Sequence, residues 1–336
     1  MLRKGGPTLT AIRSTGGSGS RSGPPPAAPG IVLRRIGGAA AVGTETSASS
    51  QAIPFNFPPI KLSILMPAYN EEGTIARAID DILQINLPCE FELIVVDDGS
   101  TDKTSMMLAE VNDDRVIVHR HPANRGKGAA LRSAASLATG THILPFDADL
   151  EYLPEDIPRV LEPVLKGRCS VVYGTRLFGC NTVYQSFRYA AGNRLLTRIA
   201  NILYDSSLSD LHTCLKLMPL AIMRSFDLSE EGFGLDTELT ALLLRHGIRP
   251  FEVPVSYYSR SHAHGKKIKS SDAIACARIL LRVRLRGLSG PDPATSLSRD
   301  GRAGHIKAWL GPIIAAKPSV GQRAKPVSRE RRARSG

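Results

Sequence analysis

Long apolar runs are absent from this chain. The longest late candidate, 306–316, is interrupted by Gly311 and Pro312. It falls well short of the roughly 18 apolar residues that a transmembrane helix needs. Cysteine is scarce. Cys89, Cys169, Cys180, Cys214 and Cys276 are odd in number and form no C-x-x-C pair. That argues against a disulfide framework or a zinc knuckle and fits reduced thiols in a reducing compartment. Acid is missing at the start: Glu45 is the first carboxylate, after Arg3, Lys4, Arg13, Arg21, Arg34 and Arg35. Aromatic residues make up 5% of the chain, and its one tryptophan is Trp309. With 42% hydrophobic and 22% charged residues, the composition also excludes wholesale disorder and fibrous folds.

The formal net charge is +12, and it sits at the two ends. Residues 1–60 carry six Lys/Arg and one acid, and 287–336 carry ten and three. Residues 61–286 hold 27 of each sign and are neutral. A neutral core argues against nucleic acid as a partner. Residues 1–58, rich in Gly, Ser, Pro and Ala, read as a disordered basic leader, and 287–336 as a disordered basic tail. The leader has the composition of an organellar transit peptide; a plain leader or a start codon set too early explains it equally well.

Between the ends, strand and helix signals alternate. Apolar runs at 62–68, 91–96, 116–119, 142–146 and 170–173 read as strands. Helices are expected from Asn70, as N-cap, to about Leu83, from Gly126 to Ala138, and from Pro154 onward. Short connections of this kind predict an α/β fold, a mostly parallel sheet with helices on both faces. The second half is less regular, with helices over 188–204, 235–246 and 272–286 and strands within 210–218 and over 251–257. Ligands of such sheets sit outside the carboxyl ends of the strands. Four of those ends carry polar clusters: 69–72, Asp97-Asp98, 147–149 and Thr175-Arg176.

Two carboxylates one residue apart, Asp147 and Asp149, can reach one hard divalent cation; equally, they can cap the following helix. A carboxylate at 97–98 can accept hydrogen bonds from a nucleobase or ribose, while Asp102 caps a helix. The turn Asn124-Arg125-Gly126-Lys127-Gly128 offers backbone N–H groups and two cations to phosphate, but it is not a Walker A loop.

The ordered set Pro67-Ala68-Tyr69-Asn70-Glu71-Glu72, Val96-Asp97-Asp98-Gly99-Ser100-Thr101-Asp102, Asn124-Arg125-Gly126-Lys127-Gly128 and Asp147-Ala148-Asp149-Leu150-Glu151 resembles the family 2 inverting glycosyltransferases of GT-A fold. The match covers about 61–270, as a single catalytic domain. Its spacing is most similar to the polyprenyl-phosphate sugar synthases, which use dolichyl-type lipids and mannose or glucose. Tyr173-Gly174-Thr175-Arg176, the stretch 210–216, Gly232-Phe233 with Asp236 and Glu238, and 260–268 resemble later motifs of that group. The resemblance implies a nucleotide sugar, GDP-mannose or UDP-glucose, as donor. It places Pro67, Tyr69 and Glu71 at the nucleoside, Asp97 and Asp98 at base or ribose, and Lys127 at the diphosphate. Asp147 and Asp149, with Glu151 as a further ligand, would hold Mg2+ or Mn2+. Arg176 would contact phosphate. The Q-x-x-R-W signature of polymerising synthases is missing.

Transfer to a hydroxyl needs a general base. A lipid phosphate is already ionised near neutral pH, with a second pKa of about 6, and needs cations instead. Residues 260–286 carry eight Lys/Arg against Asp272 alone, so 61–259 has a net charge of −7. Arg260, Lys266 and Lys267 are the expected acceptor-phosphate loop, and 271–286 a basic amphipathic helix suited to an anionic membrane surface. Asp236 and Glu238 are either an acid/base pair for a hydroxyl acceptor, or Asp236 orients Arg176 or an acceptor cation. The expected setting is cytoplasmic and peripheral on a membrane, with a membrane-anchoring subunit as a further partner. A sugar or small-molecule hydroxyl acceptor, and a nucleotide-binding protein without catalysis, are the alternatives.

Overall fold

The computed structural model describes residues 59–177, 182–183, 187–259 and 270–286. The leader 1–58, the tail 287–336, Cys180 and the expected acceptor cations Arg260, Lys266 and Lys267 lie outside the described residues.

The first half alternates as its apolar runs predict. Strands β1 (Lys61–Ala68), β2 (Glu90–Asp97), β3 (Val116–Arg120) and β4 (His142–Pro145) are separated by helices α1 (Ile75–Gln84), α2 (Thr104–Ala109) and α3 (Lys127–Leu137). A 3-10 turn at Pro154–Asp156 leads into α4 (Ile157–Leu165), and β5 (Val172–Thr175) follows. Then come β6 (Thr182–Val183), α5 (Phe187–Tyr204), β7 (Lys216–Pro219), α6 (Leu220–Ser225) and α7 (Gly234–Arg245). The last described elements are β8 (Phe251–Pro254), β9 (Tyr257–Tyr258) and α8 (Ser270–Leu285).

Seven strands form one sheet in the order β3-β2-β1-β4-β7-β5-β8. β7 is antiparallel to both neighbours, β4 and β5, and the other six strands share one direction. β6 and β9 pair separately, in parallel. The sheet is buried on both faces, which is why β1 and β2 read as near-continuous apolar runs. Leu62, Ile64 and Met66 of β1 pack with α1 and α4 on one face. Leu65, alternating with them, packs with α3, α6 and α7 on the other. A third cluster joins α5, α7 and α8 through Leu196, Ala200, Leu244, Ile279 and Leu280.

Candidate active site

β1 has β2 on one side and β4 on the other, so the strand order reverses between β1 and β4. In open sheets the crevice beyond the carboxyl ends at such a switch point receives the ligand. The ends of β1, β2, β4 and β5 therefore bring all four polar clusters to one rim.

The loops after β1 and β2 are tied to each other. Asn70 is left-handed, at φ 54°, and its Oδ1 accepts the Thr101 N–H at 2.9 Å. In return its own N–H donates to Ser100 Oγ at 3.0 Å. The Glu71 N–H donates to Thr104 Oγ1, the Glu72 N–H to Asp102 Oδ2, and Glu72 Oε2 accepts the Lys103 N–H. Asn70 is thus not the N-cap of α1, which begins five residues later at Ile75. Pro67, Tyr69 and Glu71 are half-buried at this edge of the rim.

Asp97 and Asp98 are only 1% and 3% exposed. Asp97 accepts from the Ser100 N–H at 2.8 Å and from Ser105 Oγ, and Arg120 Nε lies 3.3 Å away. Asp98 binds His121 Nδ1 at 2.6 Å and accepts the N–H groups of Arg125 and Gly126 at 3.0 and 2.7 Å. Both carboxylates fix the loops around them, and two amides of the expected phosphate nest point to Asp98. Gly126, at φ 102°, lies so close to the 231 carbonyl that a Cβ would meet it at 2.5 Å.

That close packing starts α3 where the Lys127 amine reaches the end of β4. Its Nζ lies 2.8 Å from each oxygen of Asp147 and 3.9 Å from Asp236 Oδ2. Burial opposes its charge, but Asp147, Cys214 and Asp236 together keep it well above the ordinary lysine range. Between Asp149 and Glu151, Leu150 adopts φ 58°, strained for a γ-branched residue. The Glu151 N–H closes the turn on Asp149 Oδ1 at 3.1 Å.

A divalent cation fits here. The donors are hard carboxylate oxygens, and a side-chain ammonium already stands at Asp147. Among the described residues no three His, Cys, Asp or Glu side chains are arranged to hold a metal. Asp147 and Asp149 are then the protein's share, and phosphate oxygens and water would complete the shell, as Mg2+ commonly takes it. Glu151 Oε2 accepts the Tyr257 hydroxyl at 2.5 Å, and only 9% of the residue is exposed.

A second lysine lies deeper. Lys216, fully buried on β7, binds Asp236 Oδ1 at 2.7 Å and stands 5.4 Å from the Tyr173 ring centre. Burial would raise the Asp236 pKa, but Lys216 and Lys127 overcome it and hold it below the carboxylate norm. Glu238, two residues on, turns elsewhere, to the Ser229 and Glu230 N–H groups and Arg282. The two are therefore not an acid/base pair.

Arg176 takes its partner from Asp210, not from Asp236. Nε and Nη2 meet the two Asp210 oxygens at 2.7 and 2.8 Å, and the guanidinium lies 4.8 Å from the Tyr257 ring centre. Asn193 of α5 donates Nδ2 to Asp210 Oδ1 at 2.8 Å, which turns its Oδ1 to His212 Nδ1, also at 2.8 Å. An amide oxygen only accepts, so Nδ1 carries the proton and Nε2 accepts from Thr237 Oγ1 at 3.0 Å. Burial holds this imidazole neutral, its pKa down at about 4. Asp210, Asn193, His212 and Lys216 had no assigned role in the sequence. Asp210, His212 and Lys216 lie in the stretch 210–216 that the resemblance picked out without roles, and Lys216 also stands between Leu215 and Leu217 in an otherwise apolar strand.

The strand order, the reversed β7 and the Asp147–Asp149 turn at the switch point define a GT-A fold. Glucosyl-3-phosphoglycerate synthase from Mycobacterium tuberculosis, solved with Mn2+, uridine diphosphate and phosphoglyceric acid, shares it, with a TM-score of 0.52 over 68% of this chain and 80% of that one, at 22% identity. Residues 63–225 match the glycosyl transferase family 2 model, and the chain carries a domain of that family. It is 28% identical over 261 residues to low-salt glycan biosynthesis hexosyltransferase Agl6 of Haloferax volcanii, covering 74% of this chain and 60% of that relative's length. It is 28% identical over 257 residues to dolichyl-phosphate beta-glucosyltransferase of Saccharomyces cerevisiae, covering 69% and 76%.

Proposed function

We propose that this protein moves one hexose, with inversion, from a nucleotide sugar to a polyprenyl phosphate at a membrane surface. One observation carries the acceptor assignment. Asp210, Asp236 and Glu238, the carboxylates around the second half of the site, are each bound to a cation. Asp210 and Asp236 are held below the ordinary range, Asp210 by its Arg176 pair, both against the upward push of burial. His212 already uses both ring nitrogens. None of these is poised to take a proton from a hydroxyl. An acceptor that brings its own negative charge needs no such base, and the name of the Saccharomyces relative points to the same lipid class.

In this reading Pro67, Tyr69 and Glu71 line the nucleoside side of the crevice. Asp97 and Asp98 hold its walls. Lys127 faces the diphosphate beside Asp147 and Asp149. A divalent cation, Mg2+ or Mn2+, bound by those two carboxylates would neutralise the departing diphosphate. Arg176, fixed by Asp210, offers charge toward the acceptor side, with Arg260, Lys266 and Lys267 of the following segment.

The test is transfer of radiolabel from GDP-mannose and from UDP-glucose to a polyprenyl phosphate in detergent, with phase separation of the product. Metal-dependent label in the organic phase is expected from one donor. Arg260→Ala or Lys266→Ala should raise the acceptor KM with little change in donor affinity. Label transferred only to water-soluble hydroxyl compounds would overturn the reading.

A further inference from the structure

The turn that carries Asp210 is held in two independent ways. Its path is set through the backbone. The Ser209 and Asp210 N–H groups donate to Glu252 of β8, and the Leu211 N–H donates to Thr197 Oγ1 at 3.1 Å. Ser209 Oγ is also hydrogen-bonded to Thr175 Oγ1, at the end of β5, at 2.6 Å. None of these bonds uses the Asp210 side chain.

The carboxylate itself is oriented separately. Asp210 Oδ2 accepts Arg176 Nε and, at 3.3 Å, the Arg176 N–H. Oδ1 accepts Arg176 Nη2 and Asn193 Nδ2. Asp210, kept ionised by Arg176 against the push of burial, can only accept. Asn193 must therefore turn its NH2 group to it and its oxygen away. That oxygen accepts His212 Nδ1–H, and Nε2 of the same ring accepts the Thr237 hydroxyl. Desolvation keeps this ring neutral; Lys216 and Arg176 also oppose a second proton on it, while Asp236 and Asp210 favour one. A neutral imidazole has one N–H, so a single tautomer satisfies the whole row.

The ends of the row fall in different halves of the site. One end is the Arg176 guanidinium, whose side chain stays 11% exposed. The other is Thr237, fully buried and next in sequence to Asp236, which binds Lys216 and lies 3.9 Å from Lys127. Leucine would fill nearly the same space as Asn193. Only an amide donates to an acceptor-only carboxylate and accepts from a ring N–H at once.

We propose that Asn193 and His212 are positioning residues for the transfer: the Nδ1–H tautomer of His212 fixes the Asn193 amide, which holds Asp210 in the rotamer that presents Arg176 to the acceptor phosphate. The inference rests on the polyprenyl-phosphate reading for what Arg176 meets, not for the row of hydrogen bonds.

The experiment combines three measurements on the full chain: transfer kinetics with a short, water-soluble prenyl phosphate, calorimetric binding of the donor that the wild type uses, and long-range proton–nitrogen spectra of protein labelled at the histidine nitrogens. The wild type should show His212 as the neutral Nδ1–H tautomer. Asn193→Leu should lose that tautomer preference and leave the donor Kd unchanged. It should raise the acceptor KM about tenfold or more, as loss of an orienting partner costs a metal-binding side chain about ten- to a hundredfold. His212→Phe acts through Asn193, so the double variant Asn193→Leu/His212→Phe should be no worse than Asn193→Leu alone; two unrelated structural defects would add. Circular dichroism and Tm establish folding. Asn193→Asp keeps the shape, accepts from His212 and cannot donate to an ionised Asp210, so it should show the same rise in KM should Asn193→Leu not fold. The proposal falls if the acceptor KM is unchanged in the Asn193 variants, if the donor Kd rises in step with it, if the two substitutions add, or if His212 is the Nε2–H tautomer in the wild type. A wild type that transfers to the prenyl phosphate, with variants that match it, sinks the positioning role alone. A wild type that transfers nothing to it sinks the acceptor reading, and the assigned role with it.

Discussion

Lys127 Nζ lies equidistant, at 2.8 Å, from the two carboxylate oxygens of Asp147, in the place where a bound cation would stand. The ammonium and a metal compete for the same charge. Lys127→Met should therefore tighten the binding of Mn2+ alone by about fivefold or more, the scale of the ~1 kcal/mol that a unit charge exerts at about 4 Å through water. Titration of free Mn2+ by electron paramagnetic resonance, without nucleotide, measures it. An unchanged Kd would mean that Lys127 leaves Asp147 without cost.

Asp149 is the second carboxylate of the turn after β4, and its Oδ1 accepts the Glu151 N–H. Its replacement by alanine should lower turnover at least about a hundredfold, the size of effect seen when one preorganised electrostatic group is removed. Activity should also vanish in EDTA and return with Mg2+ or Mn2+. Steady-state rates of the purified protein decide this, and full activity in EDTA counts against any metal at this turn.

The Arg176–Asp210 pair is buried, with Asp210 fully inaccessible. Asp210→Ala leaves a guanidinium without its counter-charge, which costs about 3–5 kcal/mol when a buried pair is broken. Asp210→Asn keeps the shape and one acceptor oxygen and should cost less. Urea denaturation of both variants gives the comparison. Equal losses would show that shape, not charge, holds Arg176.

Two desolvated histidines, His142 buried and His212 half-buried, set a lower pH limit on stability. Burial moves the His142 and His212 pKa values from 6.5 to about 4. The folded state thus disfavours their protonation. Their contribution is fully present above about pH 6.5 and is lost as pH falls from there through about 4. Between pH 7 and about pH 5 each should cost the fold roughly 2 kcal/mol, since one pKa unit corresponds to about 1.4 kcal/mol. Denaturation midpoints at several pH values test the slope. His212→Asn should flatten it, and a flat wild-type profile would show that neither imidazole is held neutral.

Periodicity and strand-end chemistry were local signals, so the parallel half of the sheet and the Asp147–Asp149 turn were readable from residues alone. What each carboxylate touches was not. Asp97 and Asp98 have the right type and place to meet a ligand, yet Arg120, His121 and the amides of Arg125 and Gly126, more than twenty residues away, engage them first. Asn70 reads as an N-cap by type, but the Thr101 amide across the neighbouring loop takes its side chain. The reversed β7 leaves no local mark, because its partners β4 and β5 come from earlier in the chain. Lys216 became meaningful only once Asp236, from α7, was brought beside it.

The mutual tie between the loops after β1 and β2 bears on how this crevice can be redesigned. Six hydrogen bonds cross from 70–72 to 100–104, some donated from each side. Neither loop has a conformation of its own to keep if the other is exchanged. A graft intended to change the preferred nucleoside must therefore carry both segments together as one cassette. Replacing either alone would leave backbone amides on the other without acceptors and shift the edge it was meant to reshape.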